Sequence, residues 1–286
     1  MRLFNRGPRV PVLRFSGPIG MATPLRPGLT SSAVAKALAT AFTMSKTPAV
    51  AIALNSPGGS PVQSSLIFKL IRQHADEQKK KVYVFCEDVA ASGGYYLAVA
   101  GDEIYADTSS IIGSIGVISA SFGLDKAISR LGIERRVYTA GENKGSLDMF
   151  QPEKADDIER LKALQRDVHD VFIGVVKDRR AGKLRGPDTE LFSGAFWSAP
   201  KSLEYGLIDG IADMRSKMRE LFGEKVRLVG VPLGRTGLLS RLRRLPSMAQ
   251  GIATPNGGLA STAGLALAED LVSAIEARAM WSRFGL

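Results

Sequence analysis

Thr47-Pro-Ala-Val-Ala-Ile-Ala-Leu-Asn-Ser-Pro-Gly-Gly-Ser60 joins an apolar run of strand length to a glycine turn and then to a helix. Thr47–Leu54 reads as a buried strand. Ser60 is placed to cap the next element, Pro61 suits a first helical position, and Leu66, Leu70 and Ile67, Ile71 recur four apart, which predicts a helix over Ser60–Lys80. The alternation continues on both sides. Val10–Leu13 is a strand and Ser31–Met44 a helix. Beyond the second helix come the apolar strand Lys81–Cys86, a glycine-centred turn at Ser92-Gly93-Gly94, a short helix Tyr95–Ala100 and a strand Glu103–Ala106. This βαβα order is that of an α/β fold.

Further along, Ile111–Ile118 reads as buried β structure with close backbone approach, Leu124–Leu131 as a helix, Glu134–Tyr138 as a strand and Glu153–Arg180 as a long polar-faced helix. Asp188–Asp209 is loop-rich, with a short helix at Leu203–Gly210 ended by Gly206. A closing amphipathic helix starts at Leu265. No linker rich in Pro, Ser or Gly interrupts the chain before about residue 230, and there is no internal repeat. The expected organisation is one main domain, 8–231, followed by a basic linker and a C-terminal helix, 232–286.

With 286 residues, 45% hydrophobic and 23% charged, the chain has a globular composition. The single cysteine, Cys86, sits in an apolar run and reads as strand packing; it excludes an intrachain disulfide. Neither the amino terminus nor any other stretch has the apolar length of a signal peptide or a spanning helix, so the expected compartment is the cytoplasm. The formal charge of +10 is uneven, with nine Lys/Arg against Glu220 and Glu224 between Arg215 and Arg244. Aromatic interleaving and a recognition motif are missing there, which argues against nucleic acid. Leu238–Leu245 alternates Leu with Arg, so a solvated basic face and peripheral contact with an anionic membrane are the two remaining readings.

Two histidines, His74 and His169, both inside predicted helices, are all the chain offers for a His-based triad, and no metal ligand set is visible. Each reads as an exposed helix residue. A hydroxyl nucleophile would then need another base, and a desolvated lysine is the known substitute. Ser92, in Ala90-Ala-Ser-Gly-Gly-Tyr-Tyr96, fits either a nucleophile or a helix N-cap. The glycine amides of Asn55–Ser60 could stabilise an oxyanion, cradle a phosphate or simply turn the chain. Lys144, in Ala140–Asp148, reads by itself as a surface loop lysine.

Four segments occurring in order do more together than apart: Ser56-Pro-Gly-Gly59 after a strand, Ala91-Ser-Gly-Gly-Tyr-Tyr96, Gly113-Ser-Ile-Gly-Val117, and a loop lysine 52 positions after Ser92. In these the chain resembles the signal peptide peptidase A family, the Ser-Lys peptidases that include the SohB group, over roughly Val10–Ala212. The resemblance implies a ClpP/crotonase-like α/β spiral with a helical C-terminal extension. It also implies Ser92 as nucleophile, Lys144 as general base, Gly59 as an oxyanion-hole amide and Ser114 as the hydroxyl that orients the lysine amine. No cofactor is implied. The expected substrates are unstructured apolar peptides such as remnant signal peptides, and the expected assembly is a homo-oligomer in which the serine and lysine of one site can come from neighbouring subunits.

A lysine base must be mostly neutral near pH 7 to 8, which requires lowering its pKa by roughly 3 pH units, or about 4 kcal/mol, from a free value near 10.4. Burial away from acids has to supply this, so Glu142 should point outward. Many members of the resembled family carry an amino-terminal membrane anchor that Met1–Arg9 does not show; the basic segment or the closing helix Leu265–Phe284 is the expected substitute for docking or subunit contact. Two rivals share some of these features: a crotonase-like acyl-CoA enzyme, which has no use for Ser92, and a non-catalytic membrane-surface scaffold.

Overall fold

The computed structural model describes residues 7–21, 28–233 and 259–286. Eight strands form one sheet: β1 (Arg9–Ser16), β2 (Ala49–Ser56), β3 (Lys81–Ala91), β4 (Glu103–Ala106), β5 (Ile111–Gly113), β6 (Phe196–Ser198), β7 (Gly210–Ile211) and β8 (Arg227–Val231). Their order is β6-β5-β3-β2-β1-β8, with β4 also on β3 and β7 on β4. All pairings are parallel except β5 with β6. Among the described residues the helices are α1 (Ser31–Thr43), α2 (Pro61–Gln78), α3 (Gly93–Ala98), α4 (Asp125–Arg130), α5 (Ala155–Arg179), α6 (Asp188–Leu191), α7 (Ala199–Glu204), α8 (Met214–Phe222) and α9 (Leu259–Ser282).

Parallel strands with helices on both faces read as continuous apolar runs because both sets of side chains are buried. Val50, Ile52 and Leu54 of β2 enter the large core with Leu13 and Phe15 of β1 and residues of α1, α2 and α3. Ala49 and Ala51 face the other way, into a smaller core with Tyr83, Phe85, Tyr105 and Met218 of α8. The helix starts match the sequence: Ser60 accepts from the Gln63 amide at the start of α2, with Pro61 inside, and Thr30 caps α1.

The feature that shapes the site is a fork in β3. Tyr83–Cys86 pair with β4, whereas Val89–Ala91 pair with β5. Between these halves Leu54 faces Cys86 and Ser56 faces Ala90, so β2 advances two positions while β3 advances four. Glu87 and Asp88 form the resulting bulge, which bends the strand and re-aims its last three residues toward Ser92.

Several boundaries differ from expectation. The third strand does not end at Cys86 but runs through the bulge to Ala91. Within Ile111–Ile118 only Ile111–Gly113 pairs, and Ile118 is exposed. Glu134–Tyr138 is not a strand: no described neighbour offers it a hydrogen-bonding edge, and the segment is exposed. Asp188–Asp209 contains α6, β6 and α7, and its helix precedes Gly206 instead of starting at Leu203. The closing helix begins at Leu259; its far end is tied to the body by Phe284, buried against Val89 and Ala91. Leu238–Leu245 lies outside the described residues. Among the described residues no helix is long and apolar enough to cross a membrane.

Candidate active site

Ser92 stands where β3 hands over to α3. Its backbone is at φ 52°, ψ −124°, a region that costs a non-glycine residue of order 1–3 kcal/mol and persists only where surrounding bonds enforce it. Those bonds are present: the Ser92 amide donates to Gly113 C=O at 2.8 Å, and Ser92 C=O accepts from the Tyr96 amide at 3.0 Å. The side chain makes no capping bond to α3 and is only half-buried. Ser92 thus holds the N-cap position of α3 through its backbone alone, and its hydroxyl makes no capping bond.

The turn after β2 lies directly against it. Gly58 and Gly59 have φ of 107° and 139°, and Ile19 grips the turn from outside, donating to Gly58 C=O at 2.8 Å and accepting from the Ser60 amide at 2.9 Å. Among the described residues neither the Gly59 amide nor the Gly93 amide has an acceptor. A β-carbon on Gly93 would stand 3.3 Å from the Gly59 nitrogen, so the two glycines are neighbours. Paired free amides beside a nucleophile are the donors that a developing oxyanion needs. Sequence reading did not single out Gly93, for a backbone amide has no side-chain signature; its one signal is its position next to Ser92.

Ser92, Gly59 and Gly93 open on a cavity of about 60 Å³, whose other walls include Tyr96, Val117, Val168 and Phe172. Phe172 of α5 packs on Tyr96 with ring centroids 5.0 Å apart, and Tyr96 meets Phe68 edge-on at 5.6 Å. The cavity is small and mostly apolar.

Ser114 follows the Gly113 carbonyl that holds Ser92. It too has positive φ, at 52°, is 5% exposed and donates its amide to Ala195 C=O at 2.7 Å. The backbone thus brings Ser92, Gly59 and Ser114 into one region. Lys144 is not brought in: it is exposed in the turn Gly141–Asp148 and does not line the cavity. Glu142 is exposed, as expected.

The Lys144 turn is nevertheless built. Asp157, 6% exposed near the start of α5, accepts from Ser146 Oγ at 2.9 Å and from Arg160 at 2.5 Å. Arg160 and then Ser146 hold its carboxyl below the usual range. Arg135 pairs with Asp148 at 2.7 Å and lies over the Phe150 ring. This arm exposes Ile118, Phe122, Leu131, Ile133 and Tyr138.

Other bases fail on position. His74 stacks on Phe42, and His169 Nε2 lies 3.0 Å from Ile115 C=O; both are half-buried rather than exposed, and neither bonds Ser92. Burial lowers the Lys80 pKa, but its amine donates to Ser45 C=O at the opposite end of β3, roughly 35 Å from Ser92 at strand rise. No metal-holding group of His, Cys, Asp and Glu exists among the described residues.

Residues 74–225, just over half of the chain, match peptidase family S49. The chain belongs to peptidase family S49. The ClpP/crotonase-like fold of that family agrees with the forked, mostly parallel sheet. Among S49-like relatives, the chloroplastic serine protease SPPA of Arabidopsis thaliana is 29% identical over 215 residues, covering 72% of this chain and 30% of that protein. Protease 4 of Haemophilus influenzae is 28% identical over 193 residues, 65% of this chain and 30% of that protein. A Brucella abortus protein named Na(+)/H(+) antiporter NhaA is 53% identical over 279 residues, 97% of this chain but 37% of that protein. The chain thus spans about a third of the length of these relatives, and the antiporter name describes a polypeptide much longer than the S49 stretch.

Proposed function

We propose that this S49 chain is a serine endopeptidase in which Ser92 is the nucleophile, Lys144 the general base and Ser114 the hydroxyl that orients the lysine amine. The observation that carries the reading is Ser92 itself, held in a strained strand-to-helix turn, free of any capping bond and lining one cavity with Gly59 and Gly93, whose amides have no acceptor among the described residues. Neutral Lys144 takes the Ser92 proton as the hydroxyl attacks a peptide carbonyl. The Gly59 and Gly93 amides receive the oxyanion, the lysine returns the proton to the leaving amine, and water then releases the acyl-enzyme. The small cavity suits a short side chain before the cut bond, and remnant signal peptides are a substrate class with such residues.

Lys144 reaches a serine by association of copies. Its turn is anchored but exposed, and the arm that carries it displays apolar side chains; a second copy covering that arm would supply both the partner serine and the desolvation a lysine base requires. The test is cleavage of an unstructured apolar peptide by the wild type, Ser92→Ala, Lys144→Ala and a mixture of the two variants co-refolded. Each variant alone should be inactive and the mixture partly active. Cleavage that survives both single substitutions overturns the dyad; an inactive mixture overturns sharing between copies. Thioester hydrolysis insensitive to Ser92→Ala would favour the crotonase-like alternative.

A further inference from the structure

We infer that Asn55 and Ser56, consecutive residues of β2, are the positioning residues of the site, with Ser56 setting the amide turn and Asn55 setting the nucleophile strand. This rests on the serine-peptidase reading above. Successive strand residues point to opposite faces. Ser56 shares the face of Val50, Ile52 and Leu54, and Asn55 that of Ala49 and Ala51. One dipeptide therefore reaches both halves of the site.

Ser56 is fully buried, and its hydroxyl works in both directions, donating to Gly17 C=O at 2.8 Å and accepting from the Gly58 amide at 3.2 Å. Gly17 leads to Ile19, whose backbone grips the turn from the other side, so the hydroxyl closes a ring of bonds around Gly59. Removing it would leave the buried Gly58 N–H and the part-buried Gly17 C=O short of a partner.

Asn55 engages the bulge. Its Nδ2 donates to Asp88 Oδ2 at 2.6 Å, and its Oδ1 accepts from the Val89 amide at 3.2 Å. Arg14 grips the neighbouring Glu87 through two bonds of 2.7 Å, and Ser110 Oγ donates to the Glu87 carbonyl at 2.5 Å. A side chain with one donor and one acceptor is needed here, since an aspartate would meet Asp88 with like charge. The bulge is where β3 changes neighbours from β4 to β5, and Ser92 follows within four residues of Asp88.

The test pairs hydrogen exchange, read by mass spectrometry over 57–60 and 87–91, with kcat per active site titrated by a fluorophosphonate. Ser56→Ala should speed exchange about tenfold or more at 57–60 and leave 87–91 unchanged. Asn55→Ala and Asn55→Asp should do the reverse. In each, kcat per titrated site should fall roughly ten- to a hundredfold while KM stays within about twofold. A merely structural role would lower the number of titrated sites and leave kcat per site at the wild-type value. That result overturns the inference, as does exchange that is unchanged or quickened equally in both segments. Peptide cleavage unaffected by Ser92→Ala would instead sink the peptidase reading, and the exchange data would still decide what Asn55 and Ser56 hold in place.

Discussion

Gly58 and Ser92 approach so closely that a methyl group on Gly58 would stand 2.7 Å from the Ser92 β-carbon, and one on Gly59 would stand 2.2 Å from the Ile19 carbonyl oxygen. Both glycines also occupy positive φ. Gly59→Ala should therefore lose about 1–3 kcal/mol of stability, and either alanine should reduce kcat/KM by roughly a hundredfold through displaced donors. Urea unfolding and initial rates would check this. A Gly59→Ala enzyme with normal turnover would show that its amide is not a donor.

Ser92 is a costly residue in its turn, and glycine would adopt the same backbone without a side chain to strain. Ser92→Gly should abolish peptide cleavage yet raise stability by about 1 kcal/mol, or roughly 2–4 °C in Tm for a chain of this size. Calorimetry of the two proteins decides it. A lower Tm for the glycine variant would mean that the serine is not strained.

Phe172 closes the cavity against Tyr96. Its truncation to alanine should let leucine or phenylalanine precede the cut bond, shifting the kcat/KM ratio between large and small residues by roughly ten- to a hundredfold, with a stability cost of about 3–5 kcal/mol. Profiling with a peptide library at several positions would reveal the change. An unaltered preference at every position would show that this cavity does not bind substrate.

Asp157 gives the arm a pH signature. Its folded pKa is depressed by Arg160 and Ser146, so its contribution is complete above the unfolded carboxylate value of about 3.9 and is lost as pH falls through the folded value. Asp157→Asn should be less stable than wild type at pH 7, with faster tryptic cleavage after Lys144, and the gap should close below about pH 4. A gap that widens in acid contradicts the assignment.

Burial pushes the Cys86 thiol up to about 12, and the side chain is 3% exposed. Folded protein at pH 8 should therefore resist a disulfide-exchange reagent, and reaction should appear only on unfolding in guanidinium. Rapid reaction of the native protein would indicate that β3 opens at its fork.

The parts of the molecule legible in the sequence are those that side chains announce. Alternating cores in β2 and the capped start of α2 are written in residue type, and Ser92 and Gly59 stand out through order and spacing within a resembled family. Glu87-Asp88 looks like the end of a strand because polar residues usually leave a sheet; Arg14 and Asn55 keep them in as a bulge. Glu134–Tyr138 has strand-like residues, but a strand also needs an edge to join, and none lies beside it among the described residues. Gly93 is silent because what it brings to the cavity wall is a backbone amide, which residue type does not announce. Lys144 is exposed in a turn built by Asp157, Ser146 and Arg160, side chains far enough apart in sequence that no local pattern marks them as a unit.

The pairing of β1 with β8 sets Arg9 opposite Arg227 on one edge of the sheet, and the Arg227 amide donates to Pro8 C=O at 2.9 Å. The first and last strands of the sheet are thus neighbours, about 4.8 Å apart by ordinary sheet spacing. The stretch Arg9–Val231 therefore enters and leaves the sheet on neighbouring strands, the kind of juxtaposition that domain insertion favours. The stretch that matches this chain makes up 37% of the Brucella abortus protein.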